Sequence, residues 1–290
     1  TTHQTPAGSI VTISGLAGSA TATTGSLAVV SPPSSSLGSS GDWDKAGTLK
    51  LTVAADSLAK DIAYVVSFNL TNPAGAMTSP AVSVEATLVD RGVTVGSVAQ
   101  VAMTVPNAAL YGVSNGANPL QVVVPIFGTK SIQQSTPVSG VANTLTVTLR
   151  SNYALSAGST VTISGLTGSS TLDSNSLSVT STNSMLGAAG VWIQESGTLV
   201  LTVATGGMNA TTDYEVIFSL CNPASTQSSP TVNVEATLKD GSDTVGSVAL
   251  AAMAKPNSTR YGVSHGANPL EVVVPVFSVK SNEQSTPFVG

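Results

Sequence analysis

Asn143-Thr-Leu-Thr-Val-Thr-Leu-Arg150 is the stretch that decides how this chain is read. Leu145, Val147 and Leu149 alternate with Thr144, Thr146 and Thr148, the two-residue period of a strand with one buried face. It leads into Val161-Thr-Ile-Ser-Gly-Leu166, a block that repeats Val11-Thr-Ile-Ser-Gly-Leu16. Offset by about 150 residues, the two halves match at roughly half of their positions, the mark of an internal repeat. In that register the counterpart of Asn143–Arg150 falls just ahead of Thr1, and the next such strand would begin after Gly290. The expectation is a two-repeat unit cut out of phase, whose front repeat takes a strand from elsewhere.

Outward from this stretch the same pattern recurs. Ile10, Val11 and Ile13 form a short strand ending at Ser14-Gly15, and Ser26–Val30 forms another. Trp43 and Trp192 precede Thr48–Val53 and Thr198–Val203. With aromatics at 4% of the chain, the two indoles are expected as core plugs or strand-end lids. Ile62–Leu70 and Tyr214–Leu220 are the longest apolar strands, each closed by Asn-Pro, a turn signal that denies the sheet a donor. Val82–Leu88 and Val232–Leu238 alternate again, and Asp90-Arg-Gly92 and Asp240-Gly241 read as hairpin turns into Ser97–Met103 and Ser247–Met253. Tyr111–Leu120 and Tyr261–Leu270 are nearly identical loops feeding Val122–Val124 and Val272–Val274. No stretch has helical periodicity. Seven or eight short strands per half predict an all-β chain of two tandem antiparallel β-sandwiches, immunoglobulin-like rather than jelly-roll. The domains are expected at 1–140 and 141–290, with Lys130–Pro137 as a tail of the first, matched by Lys280–Pro287.

Composition narrows the function classes. Charged residues make up 9% and the net charge is −5, so no basic stripe is present to neutralise phosphates, and nucleic acid is not expected as a partner. No apolar run is long enough to span a bilayer. Cys221 is the one cysteine and can form no internal disulfide; a small, partly buried side chain is expected there.

Candidate chemistry is thin. The histidines are His3 and His265, and the repeat partner of His265 is Asn115. A nucleophile needs a base and something to orient it, and no such constellation is present. Asp42 and Asp44 flank Trp43, but Val191 and Ile193 stand in their places in the second half. Glu85 and Glu235 do repeat, and alternation against Val84 and Val234 turns them outward. No Cys/His cluster has zinc spacing, and no run of oxygen ligands suits calcium. Neither a metal, a cofactor nor an enzymatic activity is expected. Three Asn-x-Ser/Thr triplets, at Asn69, Asn209 and Asn257, are glycosylation candidates, and the serines around Pro32-Pro33 are candidates for O-linked sugar.

The Thr/Ser/Val/Gly-rich strands, the three triplets and the out-of-phase ends together resemble the tandem immunoglobulin-like repeats of secreted, glycosylated fibres and surface coats of microbes. That resemblance implies an extracellular structural role without catalytic residues. An unpaired sheet edge templates pairing with another chain, and head-to-tail strand donation that does not close makes a filament. The expected self-assembly residues are Ile10, Val11 and Ile13 on the acceptor side, Leu145, Val147 and Leu149 as the model of the missing strand, and Phe277 and Phe288 in the tail. A longer covalent array gives the same extended object. The alternative is an adhesin or carbohydrate-binding module that presents Tyr111 or Tyr261 to a sugar; against it stands a structural corner with the tyrosine packed on the sandwich.

Overall fold

The computed structural model describes residues 4–31, 36–285 and 287. They are almost entirely strand and turn, and the one helical element is a 3-10 turn at Thr182–Ser184. The chain divides into two compact units, Thr1–Val124 and Pro125–Gly290.

Unit 1 carries β1 (Ile10–Ser14), β2 (Thr24–Val30), β3 (Ser40–Asp44), β4 (Thr48–Thr52), β5 (Ser67–Phe68), β6 (Ser83–Asp90) and β7 (Val93–Ala102). They hydrogen-bond in the order β5-β2-β3-β4-β1-β6-β7. Unit 2 carries β8 (Phe127–Gln134), β9 (Ala142–Ser151), β10 (Thr160–Ser164), β11 (Ser174–Ser181), β12 (Ala189–Ile193), β13 (Thr198–Thr202), β14 (Tyr214–Cys221), β15 (Asn233–Asp240) and β16 (Asp243–Ala252). Their order is β16-β15-β10-β13-β12-β11-β14-β9-β8. The repeat is visible in the register: Ile13 pairs with Leu49 and Val84, and Ile163 pairs with Leu199 and Val234. The β6–β7 turn, Arg91-Gly92, has φ of 47° and 81°, as a two-residue hairpin turn of the right twist requires. Gly15 and Gly165 end β1 and β10 with φ of 91° and 84°; a Cβ there would sit 2.0 Å and 2.2 Å from the carbonyl oxygens of Ala81 and Thr231, so no larger residue fits.

Two features of this order depart from the sequence expectation. First, Phe127–Gln134 is a strand of unit 2, not a tail of the first repeat. It pairs antiparallel with β9, so the units divide after Val124 rather than at the repeat boundary near residue 140. On its other edge the Ile132 N–H donates to Ala254 O at 3.0 Å and the Ala254 N–H to Lys130 O at 2.8 Å. Ala254 lies just beyond β16, so the nine-stranded sheet nearly closes on itself as a barrel. Unit 1 has seven strands and no counterpart of β8 or β9 among its described residues; its sheet remains a half-barrel. Two strands separate the units, where one was expected.

Second, the expected strand Ile62–Leu70 shrinks to Ser67–Phe68. Its repeat partner β14 runs the full Tyr214–Cys221, pairing with β9 from Tyr214↔Leu149 to Cys221↔Ala142. The two stretches have the same alternation, so the difference lies in the neighbour: a strand without a partner leaves its backbone groups to water. Val122 and Val272 likewise make only single bridges, to Met77 and Gln227, instead of last strands.

The cores follow. Trp43 and Trp192 are fully buried, and their indole N–H groups donate to Thr21 O at 3.2 Å and Thr171 O at 3.0 Å. In unit 2, Leu145, Val147 and Leu149 of β9 are 0% exposed and stand beside Phe218, Val216 and Tyr214 of β14, which are buried as well. In unit 1 the matching Phe68, Val66 and Tyr64 are only half-buried, and so is Leu70, whose counterpart Leu220 is 1% exposed. The pair Leu220 and Leu70 therefore gives a direct comparison. Leu220→Ala should destabilise unit 2 by about 2–5 kcal/mol, the usual loss for a buried leucine, and Leu70→Ala should cost unit 1 about 1 kcal/mol or less. Residue-resolved amide exchange within each unit reads the two stabilities separately; equal losses would contradict the burial difference.

Candidate functional site

The concave side of the half-barrel of unit 1 is apolar and open. It forms a groove of about 700 Å³ walled by Val11, Ile13 and Leu51 from the β1–β4 side, Val84 and Val98 from β6–β7, and Tyr64, Val66 and Phe68 from the stretch around β5. A monomer rarely leaves such a contiguous apolar surface open without a use for it. The matching residues of unit 2 are core: Val234 is 0% exposed, Val248 3% and Met253 6%, whereas Val84 and Val98 are half-buried and Met103 is 45% exposed. In unit 2 they belong to one core with Ile132 of β8 and Leu145, Val147 and Leu149 of β9. Thr5 stands in the groove wall where unit 2 has Leu155, buried and with its hydroxyl unbonded.

The ribbon of unit 2 is held by a buried polar clamp as well as by its aliphatic face. Asn143 Nδ2 donates to Gln134 Oε1 at 2.7 Å and to Asn222 Oδ1 at 2.8 Å. Gln134 Nε2 donates to the carbonyls of Gly266 and Glu271 at 2.9 and 2.8 Å, and its Oε1 also accepts the Leu270 N–H at 2.7 Å. Asn222 Nδ2 completes the set by donating to Thr136 O and Val138 O. All three side chains are buried, where polar groups persist only when satisfied. The sequence marked Asn222 only as part of an Asn-Pro turn and Gln134 only as part of a tail; amides beside Ser and Pro look like loop chemistry until the fold brings them together.

The residues singled out from the sequence fall as follows. Val11 and Ile13 line the groove, but β1 is paired on both sides, with β4 and β6, so it offers no free edge; Ile10 is partly exposed on the same strand. Leu145, Val147 and Leu149 are committed inside unit 2. Phe277 is 84% exposed, with Val276 and Val279 nearly as open, although its counterpart Phe127 is 2% exposed. Phe288, like His3 and Pro32-Pro33, lies outside the described residues. Asn69, Asn209 and Asn257 are all exposed. Asn209 gives its backbone N–H to Tyr214 Oη at 2.7 Å. Asn257 and Asn268 form a reciprocal pair through backbone N–H and side-chain amides at 2.8 and 2.9 Å. Asn107 and Asn118 repeat that pair without an Asn-x-Ser/Thr triplet, so an asparagine at this position has a structural reason of its own.

Other candidates are local structure. Asp42 and Asp44 are exposed, and Asp44 accepts the Ala46 and Gly47 N–H groups in a turn. Glu85 and Glu235 point to solvent. The Cys221 thiol is half-buried and donates to Asn222 O. Tyr111 and Tyr261 occupy left-handed positions, φ 49° and 51°, in two-residue turns closed by Leu110↔Val113 and Arg260↔Val263. Tyr111 is half-buried but Tyr261 is 76% exposed, so the packed corner describes only the first.

Charge plays a small part. Arg150 at the end of β9 forms a two-pronged ion pair with Asp213 ahead of β14, the Nε contact being 2.7 Å. The hydrogen bond from Arg150 holds the Asp213 carboxyl below its ordinary value of 3.8. Burial lowers the Lys255 ammonium below its ordinary 10.5, with Glu271 opposing. Among the described residues no three His, Cys, Asp or Glu side chains come together as a metal site, and no helix is long and apolar enough to cross a membrane.

No protein-family model matches the chain, and no curated protein matches it.

The clamp is testable in place. Asn143→Ala leaves Gln134 and Asn222 short of a buried partner, so unit 2 should lose about 2–4 kcal/mol, more than one ordinary hydrogen bond is worth. Urea midpoints read through Trp192 measure it; a loss within error of zero would mean that the clamp contributes nothing.

Proposed function

We propose that this chain is a non-enzymatic structural protein of an extracellular filament or coat, in which each front unit is completed by strands from outside itself. The observation that carries this reading is the open groove of unit 1 in the place where unit 2 seats β8 and β9. Three aliphatic side chains like those of β9 are worth about 1.5–3 kcal/mol each when buried, a large share of the net stability of a domain of this size. Strand addition is the ordinary remedy for such an edge. In the completed form the units are read as tandem immunoglobulin-like sandwiches. β11 supports this, since it passes from the β12 ladder to the β14 ladder and so joins two layers over one core. Repetition of the same completion, covalent or between molecules, gives a linear object. The three exposed asparagine triplets and the few charges favour a glycosylated, secreted or cell-surface location.

The purified 290-residue chain should self-associate, its mean particle size in sedimentation and negative-stain images growing with concentration. A stable, glycan-free monomer at high concentration would overturn completion between separate molecules.

One observation favours a second reading, an adhesin or carbohydrate-binding module: the exposure of Tyr261 at a turn tip, where a ring can stack on a sugar. On a glycan array that reading predicts binding lost by at least about tenfold in Tyr261→Ala, the worth of one good stacking contact. No binding, or binding indifferent to the substitution, removes it.

A further inference from the structure

We propose that the groove of unit 1 takes a two-stranded ribbon of the β8–β9 type from another repeat of this kind, and that one glutamine and one asparagine on that ribbon set its register. This rests on the strand-completion reading above and names the partner that reading leaves open.

The acceptor half of the polar clamp is already built in unit 1. Asn72 stands for Asn222, Gly116 for Gly266 and Leu120 for Leu270. The loop that presents the backbone groups has the same form in both units. Leu120 and Leu270 have φ of 53° and 54°, Asn115 and His265 have φ of 55° and 58°, and the Asn118 and Asn268 N–H groups close the same turn at 2.9 and 2.8 Å. So the loop does not need the ribbon in order to form. It is a preformed socket, and preformed sockets bind at lower ordering cost. Only the burial differs: Asn72 is exposed and Asn222 is 0% exposed, and Leu120 is half-buried where Leu270 is 0% exposed.

Apolar alternation alone does not fix a strand, because a slip of two residues returns every apolar side chain to the same face. The clamp removes that freedom. A ribbon displaced by two residues would bury a glutamine and an asparagine away from the Gly116 and Gln121 carbonyls, the Leu120 N–H and Asn72, and unsatisfied amides are not tolerated in a core.

The occupant is the whole ribbon rather than the tail of a second copy. The tail, Phe277 to Pro287, does carry Gln284-Ser-Thr-Pro287 in the register of Gln134-Ser-Thr-Pro137. Yet it has Asn282 where the ribbon has Ile132, which is 1% exposed. The ribbon also brings Leu145, Val147 and Leu149, which pair with Phe218, Val216 and Tyr214, the repeat counterparts of Phe68, Val66 and Tyr64.

The test is a full-length variant with a second copy of residues 125–150 joined directly ahead of Thr1, as Arg150 precedes Ser151. Amide exchange at Tyr64–Leu70 is the readout, with Tyr214–Leu220 of the same molecule as a folded standard. The expected result is exchange slowed by at least about tenfold at Tyr64–Leu70, toward the rate of the standard. Alanine in place of the glutamine and asparagine of the added copy should abolish most of that slowing. Equal protection with and without those two amides would overturn the register claim, and no protection with the intact added copy would overturn the choice of occupant. Sedimentation of the unmodified chain separates the two levels. If it assembles while the added copy protects nothing, strand completion survives with another donor and this inference falls. If the added copy protects and the unmodified chain stays monomeric, this inference stands and completion between separate molecules falls.

Discussion

The pairing of β9 with β14 is the interaction on which the larger unit depends. It sets Leu145, Val147 and Leu149 beside Phe218, Val216 and Tyr214, and it gives β8 the edge from which to reach Ala254 and nearly close the sheet. Burial and closure come from the same ribbon. Without it the same kind of sequence forms the same hairpins, buries its tryptophan and builds its turns, but stops at a half-barrel. Unit 1 shows this state: Trp43 is as buried as Trp192, while the face around Phe68 stays open.

How much of this was legible in the sequence depended on whether the information is local. The strict alternation of Asn143–Arg150 identified β9, and the repeat offset identified the shared strands of the two units. The hairpin at Asp90–Val93 and the outward glutamates followed from period and turn chemistry. Phe127–Gln134 was not legible as a strand. Its Gly128, Lys130, Gln133 and Gln134 break the alternation, and Gln134 is buried only because Asn143, Gly266 and Leu270 meet it from far along the chain. Ile62–Leu70 failed in the opposite sense. Its pattern is that of a strand, but strand pairing is a property of two segments, and among the described residues it pairs only at Ser67–Phe68, with β2. The tyrosine loop was legible as a repeated element, not as a turn that leaves Tyr261 in solvent.

The proposed function rests on the open groove of unit 1. An apolar groove could in principle serve a small apolar ligand. What favours a strand is the second unit, where the same concavity is filled by 127–151 of the same chain, with each amide of the clamp accounted for. The asparagine triplets are a separate matter. Asn257 has a structural partner in Asn268, whereas Asn69 and Asn209 have no such explanation and are the better places to look for sugar.

The most direct test of the central claim is a cryo-electron microscopy map of the assembled protein over unit 1. The account predicts two additional strands there, one beside Tyr64–Leu70 in the manner of β9 on β14 and one bridging to Thr104 in the manner of β8 on Ala254. A map in which the assembled unit keeps seven strands and an open groove, or closes the groove with its own residues, would contradict it.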